Sequence, residues 1–159
     1  MPYNFEKLHQ IAAETRRDFL DKKISALLLA QVLRIHRPEV VAGESEVVTL
    51  SCVVRAIETF PGNSCDSASA ELRRRIGYGE IVVGCYGKDD GGYYDEAKKR
   101  WVAGLMECGD RYHSFLDVGE TDVARSTIVD ITADQFGGPA VYVGDLHEPW
   151  SRWGNYNCV

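Results

Sequence analysis

The chain has 159 residues, 45% of them hydrophobic and 26% charged, with 24 acidic against 18 basic side chains and a net charge of −6. That length and mixture suit one globular domain with its own core, and they exclude a disordered, collagen-like or low-complexity chain. The acidic balance argues against general binding to nucleic acid or to anionic membranes.

From the N-terminus, Phe5, Leu8, Ala12 and Phe19 repeat at helical intervals. The phase breaks at Asp21-Lys22-Lys23 and restarts with Ile24, Leu27, Leu28, Val32 and Ile35, before Pro38 closes the pattern. The spacing predicts two amphipathic helices, or one kinked helix, over about 4–36. Val47, Leu50, Val54 and Ile57 continue at three and four, so 45–59 reads as a helix despite its β-branched content. Phe60-Pro61-Gly62-Asn63 is a turn. A helix follows from about Cys65 to Arg75, with Ala68, Leu72 and Ile76 facing inward, and Gly77 and Gly79 end it.

Beyond Gly79 the signal changes to strands. Ile81 to Tyr86 is one, and Lys88 to Gly92 is a polar turn. Tyr94, Trp101 and Leu105 sit at helical spacing, which predicts a short helix over 93–106. Tyr112 to Val118, Ser126 to Thr132 and Ala140 to Val143 read as strands. Trp150, Trp153 and Tyr156 fall three apart and are expected to form a lid over the core. Helices first and strands later is an α+β order in a single domain. It divides into an N-terminal helical segment 1–44, a core 45–145 and an aromatic tail 146–159.

Residues 1–40 carry seven basic and five acidic side chains, so the acidic excess lies beyond them and the expected substrate is neutral, basic or a protein. The start Met1-Pro2-Tyr3-Asn4-Phe5-Glu6-Lys7 lacks the basic flank and apolar run of a secretion signal. Ile24 to Leu33, the longest apolar stretch, is far short of the roughly 20 residues a membrane span needs. A soluble, cytoplasmic protein is expected, although delivery by a non-classical secretion system would leave no mark in these residues. The five cysteines, at 52, 65, 85, 108 and 158, are odd in number and show no C-x-x-C pair, which fits reduced thiols.

Cys65 is the candidate nucleophile. It sits in Gly62-Asn63-Ser64-Cys65-Asp66-Ser67, where a glycine turn enters a helix. The positive end of a helix favours the thiolate, and its backbone N–H groups can hold a developing oxyanion. Asp66 acts the other way, because a neighbouring carboxylate disfavours a thiolate. Cys52 and Cys85 lie in apolar settings and read as buried structural cysteines.

A thiolate of this kind needs a base, and the base needs an orienting group. His9 and His36 fall on solvated faces of the N-terminal helices and His147 in the tail, whereas His113 opens a strand. An antiparallel pairing that turns near residues 121 and 122 sets His113 opposite Asp130, Phe115 opposite Ile128 and Tyr112 opposite Ile131. Opposed Cβ atoms lie about 4.5–5.5 Å apart, within reach of an imidazole–carboxylate hydrogen bond. Asp117 shares the His113 face but is too far along the strand, and Asp134 is the reserve orienter.

Cys65 at a helix start, then His113-Ser114-Phe115-Leu116-Asp117-Val118, then Val129-Asp130-Ile131-Thr132, resembles the papain-like and transglutaminase-like cysteine enzymes. In particular it resembles small bacterial papain-fold domains found among toxins and effectors. The likeness spans roughly residues 60–145. It implies a helix bearing the cysteine packed on a small antiparallel sheet bearing the other two residues. It also implies Cys65 as nucleophile, His113 as general base and then acid, and Asp130 as orienter. The activity implied is that of a peptidase, deamidase or transamidase working on a protein or peptide through a thioester, with a cognate inhibitor or immunity protein as a further partner. Asp66 stands where those families carry an aromatic residue, and Thr59 where papain-like proteases carry a Gln oxyanion donor. Asn63 is then the substitute donor, with Ser64 beside it.

Other chemistries lack their spacing. Cys85, Cys108, His113 and Cys158 do not form a zinc ligand pattern, Gly77-Tyr78-Gly79 lacks the third glycine of a dinucleotide loop, and G-x-S-x-G is absent. No metal or cofactor is expected. The rival reading is a non-catalytic interaction module or inhibitor-type protein on the same fold, using its acidic body as the binding face.

Overall fold

A computed structural model describes residues 2–86, 93–95, 100–102, 112–136, 138–145 and 156–158. Its architecture is α+β: four helices packed on an antiparallel sheet.

Helix α1 (Phe5–Leu20) starts at Asn4, whose side chain accepts from the Lys7 N–H at 3.0 Å, with Glu6 favourably placed in the positive first turn. Leu8, Ala12, Thr15 and Phe19 recur at four, three and four, and all are buried. The helix stops at Asp21, and Lys22 takes a left-handed φ of 54°, which redirects the chain. Ser25 then caps α2 (Ala26–His36) and Ser45 caps α3 (Glu46–Thr59), each accepting an N–H three residues on. Pro38 opens a 3-10 turn after α2.

The break between α1 and α2 agrees with the sequence, but the inward faces of α2 and α3 do not. Leu29, Val32 and Leu33 are the buried residues of α2, while Leu27, Leu28 and Ile35 are exposed. Helix α3 buries Thr49, Val53, Ala56 and Ile57, and leaves Val47 and Val54 exposed. Both helices are apolar around most of their circumference, so periodicity alone does not fix which stripe faces the core.

Helix α4 (Cys65–Ile76) packs against α1, α2 and the sheet. Seven of its twelve residues are buried, including Ala68, Leu72 and Ile76. Gly77 ends it at φ 90°, donating its N–H to Arg73 O, a left-handed cap that glycine adopts without steric cost.

The main sheet, in order β6-β5-β4-β1-β7, is formed by β1 (Glu80–Tyr86), β4 (Tyr112–Gly119), β5 (Thr127–Asp130), β6 (Tyr142–Asp145) and β7 (Tyr156–Cys158). All its pairings are antiparallel. Leu116, Val118, Val129, Ile131 and Val143 join the helices' Leu8, Phe19, Leu72 and Ile76 in one core. Gly79 enters β1 at φ 104°, where a Cβ would lie 2.8 Å from Asp117 O. Gly79→Ala is therefore expected to lower stability by about 1–2 kcal/mol. A urea midpoint equal to that of the wild type would show that this close approach is not required.

Between β1 and β4 the structure corrects a predicted element. Residues 93–95 (β2) and 100–102 (β3) are not helical but form a two-stranded antiparallel pair, with Tyr94 opposite Trp101. The tail differs in part: Tyr156 belongs to β7 beside β1, while Trp150 and Trp153 lie outside the described residues. Among the described residues no helix is long and apolar enough to cross a membrane.

Candidate active site

The turn before α4 is fixed from two sides. Phe60 stacks on the buried Phe19 of α1 with centroids 4.8 Å apart, and the Arg16 guanidinium lies 5.4 Å above the same ring. Asn63 is exposed and takes a left-handed φ of 54°, which turns the chain into the helix. Ser64 is buried and donates its hydroxyl to Pro61 O at 2.8 Å, so it does not cap the first-turn N–H groups of α4. The first-turn amides of α4, not the Ser64 side chain, are the candidate oxyanion donors. Thr59 is likewise engaged locally, its hydroxyl lying 2.9 Å from Arg55 O and 2.7 Å from Gly62 O and sharing its one proton between them. Cys65 opens the helix as a partly exposed free thiol.

His113 lies near the start of β4 and is 2% exposed. Its Nε2 is 2.7 Å from Asp130 Oδ2, and Asp130 is equally buried. The other carboxylate oxygen accepts from the Thr132 N–H at 2.8 Å and from Thr132 Oγ1 at 3.2 Å, so both oxygens are held. Burial alone would push the imidazolium down. The charge and hydrogen bond of Asp130 outweigh it, the Cys65 sulfur adds in the same sense, and His113 is pushed up to about 9. With Nε2 committed to Asp130, Nδ1 is the nitrogen that can serve the thiol.

The pairing that brings His113 to Asp130 differs from the predicted one. Leu116 opposes Val129 and Asp117 opposes Ile128, so Ile128 faces Asp117 and not Phe115. Extending that register sets Asp130 beside Phe115, and His113 reaches it on the diagonal. A slip of two residues keeps every side chain on its own face, so the two groups still meet. The register also shifts between Asp117 and Gly119.

Asp117 serves the end of the strand instead. It accepts from the Gly119 N–H and from Ser126 Oγ, and burial pushes its carboxyl up. Asp134 pairs with Arg16, whose guanidinium also donates to Ile131 O and Ala140 O. Arg16 thus braces the segment after Asp130 as well as the turn before Cys65, a role no local motif signals.

Two further residues lack a sequence signal. Arg37, 4% exposed at the end of α2, donates to Asp66 Oδ1 at 2.5 Å and also pairs with Glu39. The carboxylate that follows the thiol is therefore matched by a buried cation. Ser114 donates to the same Asp66 oxygen at 3.0 Å. Cys52 is exposed, not buried, because it lies just off the inward stripe of α3. Cys85, Cys108, Cys158 and His147 have side chains outside the described residues. Among the described residues no three His, Cys, Asp or Glu side chains gather as a metal site. A cavity of about 280 Å³ between α2 and α3, lined by Leu27, Arg34, Glu46 and Val47 among others, includes none of Cys65, His113 and Asp130. The chain matches no protein-family model, no curated protein and no solved structure.

Proposed function

We propose that the chain is a cysteine-dependent amide hydrolase or acyl transferase acting on a protein or peptide, on a papain-like or transglutaminase-like core. The observation that carries this reading is the buried His113–Asp130 pair, 2.7 Å between Nε2 and Oδ2, with Cys65 at the start of the helix that packs on the strand of His113. A buried imidazole held by a carboxylate on one side and influenced by a partly exposed sulfur on the other has the parts of an activated nucleophile.

The Cys65 thiolate attacks the amide carbonyl carbon, and the carbonyl π electrons move to oxygen. The first-turn N–H groups of α4 stabilise that oxyanion. As the C–N bond breaks, the His113 imidazolium gives its proton to the departing amine or ammonia, leaving a thioester on sulfur. Water gives a proton back to His113 and attacks the thioester, the C–S bond breaks, and thiolate and imidazolium are restored. The product is a cleaved peptide or a deamidated side chain, and an amine in place of water gives transamidation. Asp130 keeps the ring oriented and matches its charge throughout.

Cys52 supplies the control for a first test, being exposed and free. At pH 7, iodoacetamide is expected to alkylate Cys65 at least about tenfold faster than Cys52, measured by mass spectrometry with the remaining cysteines replaced. Equal rates at the two positions would remove the basis for an activated thiol.

A further inference from the structure

Asp66 directly follows the candidate nucleophile, and Ser114 directly follows the candidate base. The bond between them therefore ties the two backbones together one residue beyond the reacting groups. Successive residues of a strand point to opposite faces. Ser114 accordingly turns toward α4, where it meets Asp66 and Ser69, while His113 turns toward Asp130. Ser69 Oγ donates to Cys65 O at 2.6 Å and lies 3.3 Å from Ser114 Oγ. Each hydroxyl has one proton. With Ser69 donating to Cys65 O and Ser114 to Asp66, the contact between the two serines has no proton of its own. The Ser114–Asp66 bond joins helix to strand, and Arg37 holds the carboxylate in place for it.

We infer that Asp66 and Ser114 form a clamp, anchored by Arg37, that fixes the Cys65 thiol at the His113 ring; Asp66 and Ser114 are positioning residues for the reaction proposed above, and the inference rests on that reading. On this view Asp66 is not the liability for a thiolate that its charge suggests. Arg37 offsets the charge, and the carboxylate oxygen supplies the acceptor that sets the geometry.

The test uses the full chain with Cys52 replaced by Ser, and every variant is checked for native circular dichroism. Two quantities are read: the rate of Cys65 alkylation by iodoacetamide at pH 7, and the titration of the His113 ring by NMR. Ser114→Ala and Asp66→Ala are expected to slow alkylation at least about tenfold, since small displacements of reacting groups carry large rate costs. They are also expected to move the His113 titration down. Ser114→Thr and Asp66→Asn keep a donor and an acceptor, and are expected to return the rate to within about threefold of the parent. Faster alkylation in Asp66→Ala would mean that Asp66 acts only as a repelling charge, which overturns the clamp. Parental values of both readouts in folded Ser114→Ala would overturn it too, and that variant decides alone if Asp66→Ala does not fold. A parent chain whose Cys65 reacts no faster than an exposed cysteine would instead sink the thiol reading, and the His113 titration in Ser114→Ala still judges the clamp.

Discussion

On the proposed function, the wild-type protein is expected to release a burst of p-nitrophenolate from p-nitrophenyl acetate at pH 7, Cys65→Ala to abolish it, and His113→Ala to slow it by roughly 10³-fold. This ester needs no recognition by a substrate cleft, so it reads the nucleophile directly. Without the imidazole, the sulfur loses the base proposed to take its proton and the cation proposed to stabilise its anion. His113→Ala also leaves the buried Asp130 carboxylate without its imidazole, although Thr132 still donates to it. His113→Gln is the safer companion, because its amide can donate to Asp130 while lacking a titrating nitrogen. Both variants are to be compared with the wild type by circular dichroism before their kinetics are read. A full burst in Cys65→Ala would assign the acylated group elsewhere in the chain.

The helices were legible because their caps and their stops are local. Asn4, Ser25 and Ser45 each precede an apolar run, and each accepts an N–H from its first turn. The pairing of 93–95 with 100–102 was not, since Tyr94 and Trp101 are seven apart. That interval marks one face of a helix, but it also arises when two short strands pair across a loop. The phase of α2 failed for a different reason: Ala26 to Leu33 is apolar except for Gln31, so several stripes could face inward.

Within the candidate site, the meeting of His113 and Asp130 survived an error of two residues in register, because face depends only on odd or even position. The surroundings of the thiol were hidden. Arg37 comes from the end of α2, 28 positions before Cys65 in the sequence, and only tertiary packing brings it to Asp66. Asp66 considered by its charge alone opposes a thiolate, but in the fold a buried guanidinium is paired with it. Arg16 is hidden in the same way, since its hydrogen-bond partners lie in segments more than a hundred residues away.

Stability is expected to fall by about 3 kcal/mol between pH 6 and pH 9.5, and the fall is expected to be largely absent in His113→Gln. His113 is pushed up to about 9 in the folded chain, against 6.5 for an ordinary histidine, by Asp130 and Cys65 acting against the cost of burial. A group raised on folding binds its proton more tightly in the native state. Its contribution is thus fully present below pH 6.5, where folded and unfolded chains both hold the proton. It declines above that and is lost as the pH rises through about 9, where the folded chain also releases it. A rise of that size corresponds to about 3 kcal/mol. Urea unfolding at a series of pH values measures it, and the wild type minus His113→Gln difference removes other groups that titrate in the same range. Asp130→Asn should flatten the same profile, because the neutral amide no longer favours the imidazolium. Parallel profiles for wild type and His113→Gln across pH 6.5 to 9 would mean that the imidazole is neutral in the resting protein. Acylation would then have to begin with proton transfer from the thiol to His113 instead of from a preformed ion pair.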